Sequence, residues 1–93
     1  VADAEADPLV LVRTEFFDGG LITAVFHEWD GTWQYLTPEG YERDKTDLVR
    51  QSRVFAVDAS LRELAEMPPG VWAGRSHPGD HWQFEVLEAE PDD

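Results

Sequence analysis

The sequence predicts an α+β fold, a mostly antiparallel twisted sheet with one or two short helices packed on one face. Two observations carry the prediction. Short β-branched and aromatic runs are separated by turn clusters such as DGG at 18–20, Asp30-Gly31 and SHPGD at 76–80. Between the fourth and fifth of these runs lies one segment, 58–67, with helix signals at both ends. Strands, a helix, then strands again fit helices laid on an antiparallel sheet.

The elements follow in order. Leu9 to Phe17, LVLVRTEFF, reads as a strand, and DGG turns the chain. Leu21 to Trp29, LITAVFHEW, reads as a second strand, and Thr32 to Leu36 as a third that returns beside it. Asp30-Gly31 is the strongest short hairpin signal in the chain. A two-residue turn there pairs Trp29 with Thr32, Glu28 with Trp33, His27 with Gln34 and Phe26 with Tyr35. Phe26, Glu28, Trp33 and Tyr35 then share one face, and Val25, His27, Trp29, Gln34 and Leu36 the other. Pro38 and Gly40 make a loop. Asp44 to Gln51 is read as a short helix on a thin stripe of Leu48 and Val49, and Arg53 to Val57, RVFAV, as a fourth strand.

The next helix is better marked. Asp58 and Ser60 are both N-cap candidates, and Ser60 with Glu63 fits a capping box. Leu61, Leu64 and Ala65 form its apolar stripe, and Pro68-Pro69-Gly70 ends it. Val71 to Arg75 is a strand. His81 to Leu87 alternates as a half-buried strand, with Trp82, Phe84 and Val86 on its inner side.

Composition bounds the function. Ninety-three residues form one globular domain, expected over 9–87, between acidic disordered tails at 1–8 and 88–93. A net charge of −13 disfavours nucleic acid, which needs Lys and Arg clusters, and favours a protein partner with a basic surface. Seven of the twenty acidic residues lie in the two tails. The absence of cysteine removes disulfides and thiolate metal sites, which fits a reducing cytoplasm. No apolar run reaches the roughly 18 residues of a membrane span.

The motifs that carry chemistry are weak here. His77 and His81 have the i, i+4 spacing of helical metal ligands, but Pro78-Gly79 between them prevents a regular helix. His27 and Glu28 are strand neighbours and point to opposite faces, so Gln34 is the more plausible partner for the imidazole. No serine sits in a nucleophile elbow, and no glycine loop precedes a helix to cradle phosphate. The expectation is a binding protein without catalysis, cofactor or metal; the alternatives are a structural or accessory domain of a larger assembly and, behind it, a small enzyme using His27, His77 and His81. The aromatics remain. Trp33, Trp72 and Trp82 are expected to fill the core, and Trp29, beside the hairpin turn, to lie at the surface. Glu28, Trp29, Asp30 and Trp33 are the candidate partner-binding residues, because Trp dominates interface hot spots and the acids complement a basic surface.

FHEWDGTWQYL at 26–36, then DASLRELAEMPPGVWAGR at 58–75 and Trp82, resemble a bacterial family, the domain of unknown function 2185 group, also described as immunity protein 33-like. Its members show a His-acidic-x-Asp-Gly-x-Trp-Gln-aromatic segment, an Asp-x-Ser-Leu helix start, a Leu-Pro-x-Gly-Trp-type exit and a closing Trp. Order and spacing agree over residues 22–82. The resemblance implies a small acidic protein that neutralises a toxin by binding it, and it carries no catalytic residues.

Overall fold

The structure, a computed structural model, describes residues 8–77 and 79–87. The tails expected at 1–8 and 88–93, except Pro8, fall outside them. Among the described residues six strands form one sheet: β1 (Leu9–Arg13), β2 (Ala24–His27), β3 (Trp33–Leu36), β4 (Thr46–Arg50), β5 (Val71–Gly74) and β6 (Gln83–Val86). Their order is β4-β1-β3-β2-β5-β6, and every neighbouring pair is antiparallel except β1 with β3. The α-helix α1 (Gln51–Val57) and short 3-10 turns complete an α+β fold over the described residues.

The register divides the residues between two faces. Asp47, Val12, Tyr35, Val25, Ala73 and Phe84 form one cross-sheet row. Val12, Tyr35, Val25 and Ala73 are fully buried, in one cluster with Val54 of α1 and Leu61, Leu64 and Met67. The helical segments therefore lie on this face. The neighbouring row, Leu48-Leu11-Gln34-Phe26-Trp72-Glu85, lies on the other face, and none of its members is buried.

Several expected elements shift. β1 stops at Arg13, and Thr14–Asp18 forms a 3-10 turn that drives Phe16 into the core. The strand expected over 21–29 is confined to Ala24–His27. The middle of the chain is exchanged. Residues expected to be helical, Thr46–Arg50, are a strand, and RVFAV lies within α1. The physical reason is the edge position. β4 gains its order from backbone pairing with β1 from Leu9↔Arg50 to Arg13↔Thr46, so it needs few apolar side chains. The next segment then turns inward with a spacing of three, placing Gln51 and Val54 in the core. Gln51 Nε2 donates to the buried Tyr35 hydroxyl at 2.8 Å.

The segment after Asp58 is a 3-10 helix, Ala59–Leu64. Asp58 is its cap: its carboxylate accepts from the Ser60 amide at 3.0 Å and the Ser60 hydroxyl at 2.7 Å. Ser60 thus serves the cap and is not itself the N-cap residue. β6 differs most from expectation. Among the described residues it pairs only with β5, and Phe84 and Val86, expected to be half-buried, are 57% and 71% exposed because the helical layer does not extend over them.

Candidate functional site

The β2–β3 hairpin holds the candidate residues. Glu28 N–H donates to Thr32 O at 2.7 Å, and Gly31 N–H donates to Glu28 O at 2.9 Å. Gly31 has φ of 94°, a value that favours glycine. The loop is therefore three residues, Trp29-Asp30-Gly31, a type I turn followed by a left-handed glycine. The two-residue turn expected from sequence is corrected, and with it the register. His27 faces Trp33 and Phe26 faces Gln34, one residue away from expectation. A one-residue slip exchanges the faces. Trp33 and Tyr35 therefore share a face with Val25 and His27, while Phe26 turns to the opposite face and stacks on Trp72 with ring centroids 5.1 Å apart.

The turn is fixed by its own side chains. Asp30 Oδ1 accepts from the Thr32 amide at 2.9 Å. That bond, with the Thr32 hydroxyl, holds the Asp30 carboxyl below its ordinary range, so it stays ionised. Trp29 is 40% exposed. Its indole lies over Gly70, where a Cβ would meet the ring at 2.4 Å. Gly70 N–H donates to His27 O, and Gly70 O accepts from Leu87 N–H, each at 2.7 Å. Trp29 thus presents one aromatic surface, braced from behind by a glycine that is bonded to both the hairpin and the chain beyond β6.

Of the four candidate residues, Glu28, Trp29 and Asp30 stand together at the tip. Trp33 does not join them. It is 7% exposed and stacks between His27, at 3.9 Å, and Tyr35, at 6.1 Å. The other two tryptophans expected in the core are half-buried. Trp72 lies on the face opposite the helical segments, and Trp82 packs against the core cluster beneath the Arg75 guanidinium at 4.2 Å.

The three histidines have separate surroundings. His27 Nδ1–H donates to Met67 O at 2.7 Å, in place of the Gln34 contact expected from sequence. His77 lies 3.2 Å from Asp80 in an exposed loop, and His81 is exposed. Among the described residues, no three His, Asp or Glu side chains gather as a metal ligand set. A hollow of about 770 Å³, lined in part by Thr23, Trp72, Arg75 and His81, opens beside this loop. Arg75 is committed to structure there. It donates to Ile22 O through Nε at 3.1 Å and a terminal nitrogen at 3.0 Å, and it pairs with Asp58 at 3.2 Å.

Sequence reasoning missed Arg75, Gly70 and the exposure of β6. Only Gly70 carried a local signal, in Pro-Pro-Gly, and that signal spoke of helix termination. No protein-family model matches the chain, and no curated protein or solved structure matches it.

Proposed function

We propose that this is an immunity-like binding protein of the bacterial cytoplasm, which engages and neutralises a protein with a basic surface and performs no catalysis. One observation carries the reading: Trp29 is exposed at a turn, immobilised on Gly70 and flanked by the carboxylates of Glu28 and Asp30. A pre-positioned indole loses little entropy on binding and supplies the apolar anchor of a hot spot. Its acidic neighbours and the net charge of −13 attract a cationic partner over distance and orient its approach. The resemblance of 26–36 and 58–75 to immunity protein 33-like sequences supports the same reading by analogy of motif.

The test is capture of proteins from the native cytoplasm on the full chain, at low and at moderate salt, followed by kinetics with the purified partner. The expected partner is basic, and its association rate falls with ionic strength over the range where the Debye length shrinks to about 10 Å. Trp29→Ala is expected to speed dissociation at least about ten-fold, as for a hot-spot truncation. Recovery of no protein at either salt concentration overturns the reading.

A second reading, an accessory domain of a larger assembly, is favoured by the face opposite the helical segments, where Leu11, Phe26 and Trp72 lie in one row and none is buried. A partner footprint on that row, with Trp29→Ala silent, would select it.

A further inference from the structure

Among the described residues β6 is an edge strand, and its outward groups can be assigned. Leu87 N–H donates to Gly70 O, and the register continues this set through Trp72↔Glu85 and Gly74↔Gln83. Antiparallel ladders alternate, so Gln83, Glu85 and Leu87 direct their backbone polar groups at β5. Phe84 and Val86 direct theirs away from the sheet. The opposite set on β5 agrees, since Arg75 N–H donates to Thr23 O at 2.9 Å, in step with Ala73↔Val25. At the open edge, the Phe84 and Val86 side chains prolong the core-facing side beyond the helical layer. Glu85 stands on the other side of the strand, across from Trp72.

Natural edges are protected by charge, proline or a bulge. The opposite edge, β4, follows this rule with Asp47 and Arg50 inside the strand and Arg43, Asp44 and Lys45 just before it. β6 carries one charge, Glu85, and that charge has a single sign. The chain's net charge of −13 has the same sign as Glu85. A second copy of this chain would bring the same sign of charge to the edge, whereas a cationic strand is attracted.

We infer that the outward edge of β6 accepts an extended strand of the partner, with apolar side chains covering Phe84 and Val86 and a lysine or arginine opposite Glu85. The inference rests on the reading of a basic partner and specifies how that partner is held. Up to four backbone hydrogen bonds, from the amides and carbonyls of Phe84 and Val86, would fix its register. Alternate side chains would supply the selectivity.

The probe is a capped seven-residue peptide of alternating valine and lysine, with an alternating valine–glutamate peptide as its counterpart, each titrated into the full chain and followed by amide NMR and hydrogen exchange. The expected result is binding of the lysine peptide, with new protection at the Phe84 and Val86 amides. Val86→Pro removes an outward amide and leaves the β5 ladder intact, so it should abolish that binding. Glu85→Lys breaks no backbone bond. It should weaken the lysine peptide at least ten-fold and admit the glutamate peptide. Equal binding by wild type and both variants, or shifts centred on 28–31, would overturn the edge assignment and leave the basic-partner reading standing. Binding of neither peptide to the wild type would also overturn it, while the capture experiment decides the broader reading separately. A concentration-dependent dimer abolished by Val86→Pro would place a second copy on the edge and refute the cationic strand.

Discussion

Gly70→Ala probes the brace beneath Trp29. Gly70 has φ of 88°, and a Cβ there would lie 2.4–2.7 Å from three atoms of the indole. The left-handed backbone alone costs an alanine about 1–2 kcal/mol. The ring must also retreat by about 1 Å to reach ordinary contact distance, and its open side leads into solvent. A tryptophan buries up to about 250 Å², and complete ejection of the buried three-fifths of this one would cost up to about 4 kcal/mol at 25 cal/mol/Å². A partial shift forfeits about a third of that, so the expected total is about 2–4 kcal/mol. The assay is urea unfolding followed by tryptophan fluorescence, for Gly70→Ala, Trp29→Ala and the double variant. In the Trp29→Ala background the clash is absent, and Gly70→Ala should cost only its backbone strain of about 1–2 kcal/mol. Additive single costs would refute the contact, and a Gly70→Ala cost below about 0.5 kcal/mol would refute the strain as well.

Further outcomes follow from buried polar groups. Arg75→Ala removes the donor to Ile22 O and the cation beside Asp58 Oδ2 and uncovers Trp82, so thermal unfolding should report a loss of about 3 kcal/mol. Arg75→Lys should recover only part of it, because an ammonium cannot reproduce the planar fork. Burial pushes the Tyr35 hydroxyl up to about 12, against the opposing bond from Gln51. Its neutral form is therefore favoured by folding. That stability is full below the ordinary tyrosine value near 10 and is lost as pH rises toward 12, so Tyr35→Phe should flatten the alkaline limb of a pH–stability curve. The same variant strands the Gln51 amide and should cost about 1–3 kcal/mol near neutral pH. For Asp58, burial opposes ionisation, but the Ser60 bonds and Arg75 outweigh it and hold the carboxyl below its ordinary range. The stabilisation is present above the unfolded value near 3.9 and is lost as pH falls below it. Asp58→Asn should therefore lessen the acid sensitivity of the fold, measured by chemical unfolding between pH 5 and about 2.5.

The sequence by itself determined the class of fold, the hairpin at Asp30-Gly31, the helical segment after Asp58 and the strand at Val71–Gly74. Each is written in local chemistry: a glycine with positive φ, a capping carboxylate, a β-branched and aromatic run. It also placed Trp29, Glu28 and Asp30 together, because three consecutive residues at a turn are neighbours in any fold. The tertiary structure decided what local chemistry leaves open. The Asp-Gly signal admits a two- or a three-residue loop, and that choice moved Phe26 from the company of Trp33 to that of Trp72. The segment at 46–50 became a strand because β1 offered it an open edge, a long-range backbone pairing that no side-chain period encodes. The bracing of Trp29 by Gly70 and the pairing of Arg75 with Asp58 join residues distant in the chain, so no spacing announces them. The exposure of Phe84 and Val86 has the same origin. Their alternation is that of a buried strand, and whether anything covers it depends on how far a helical layer built from other residues extends.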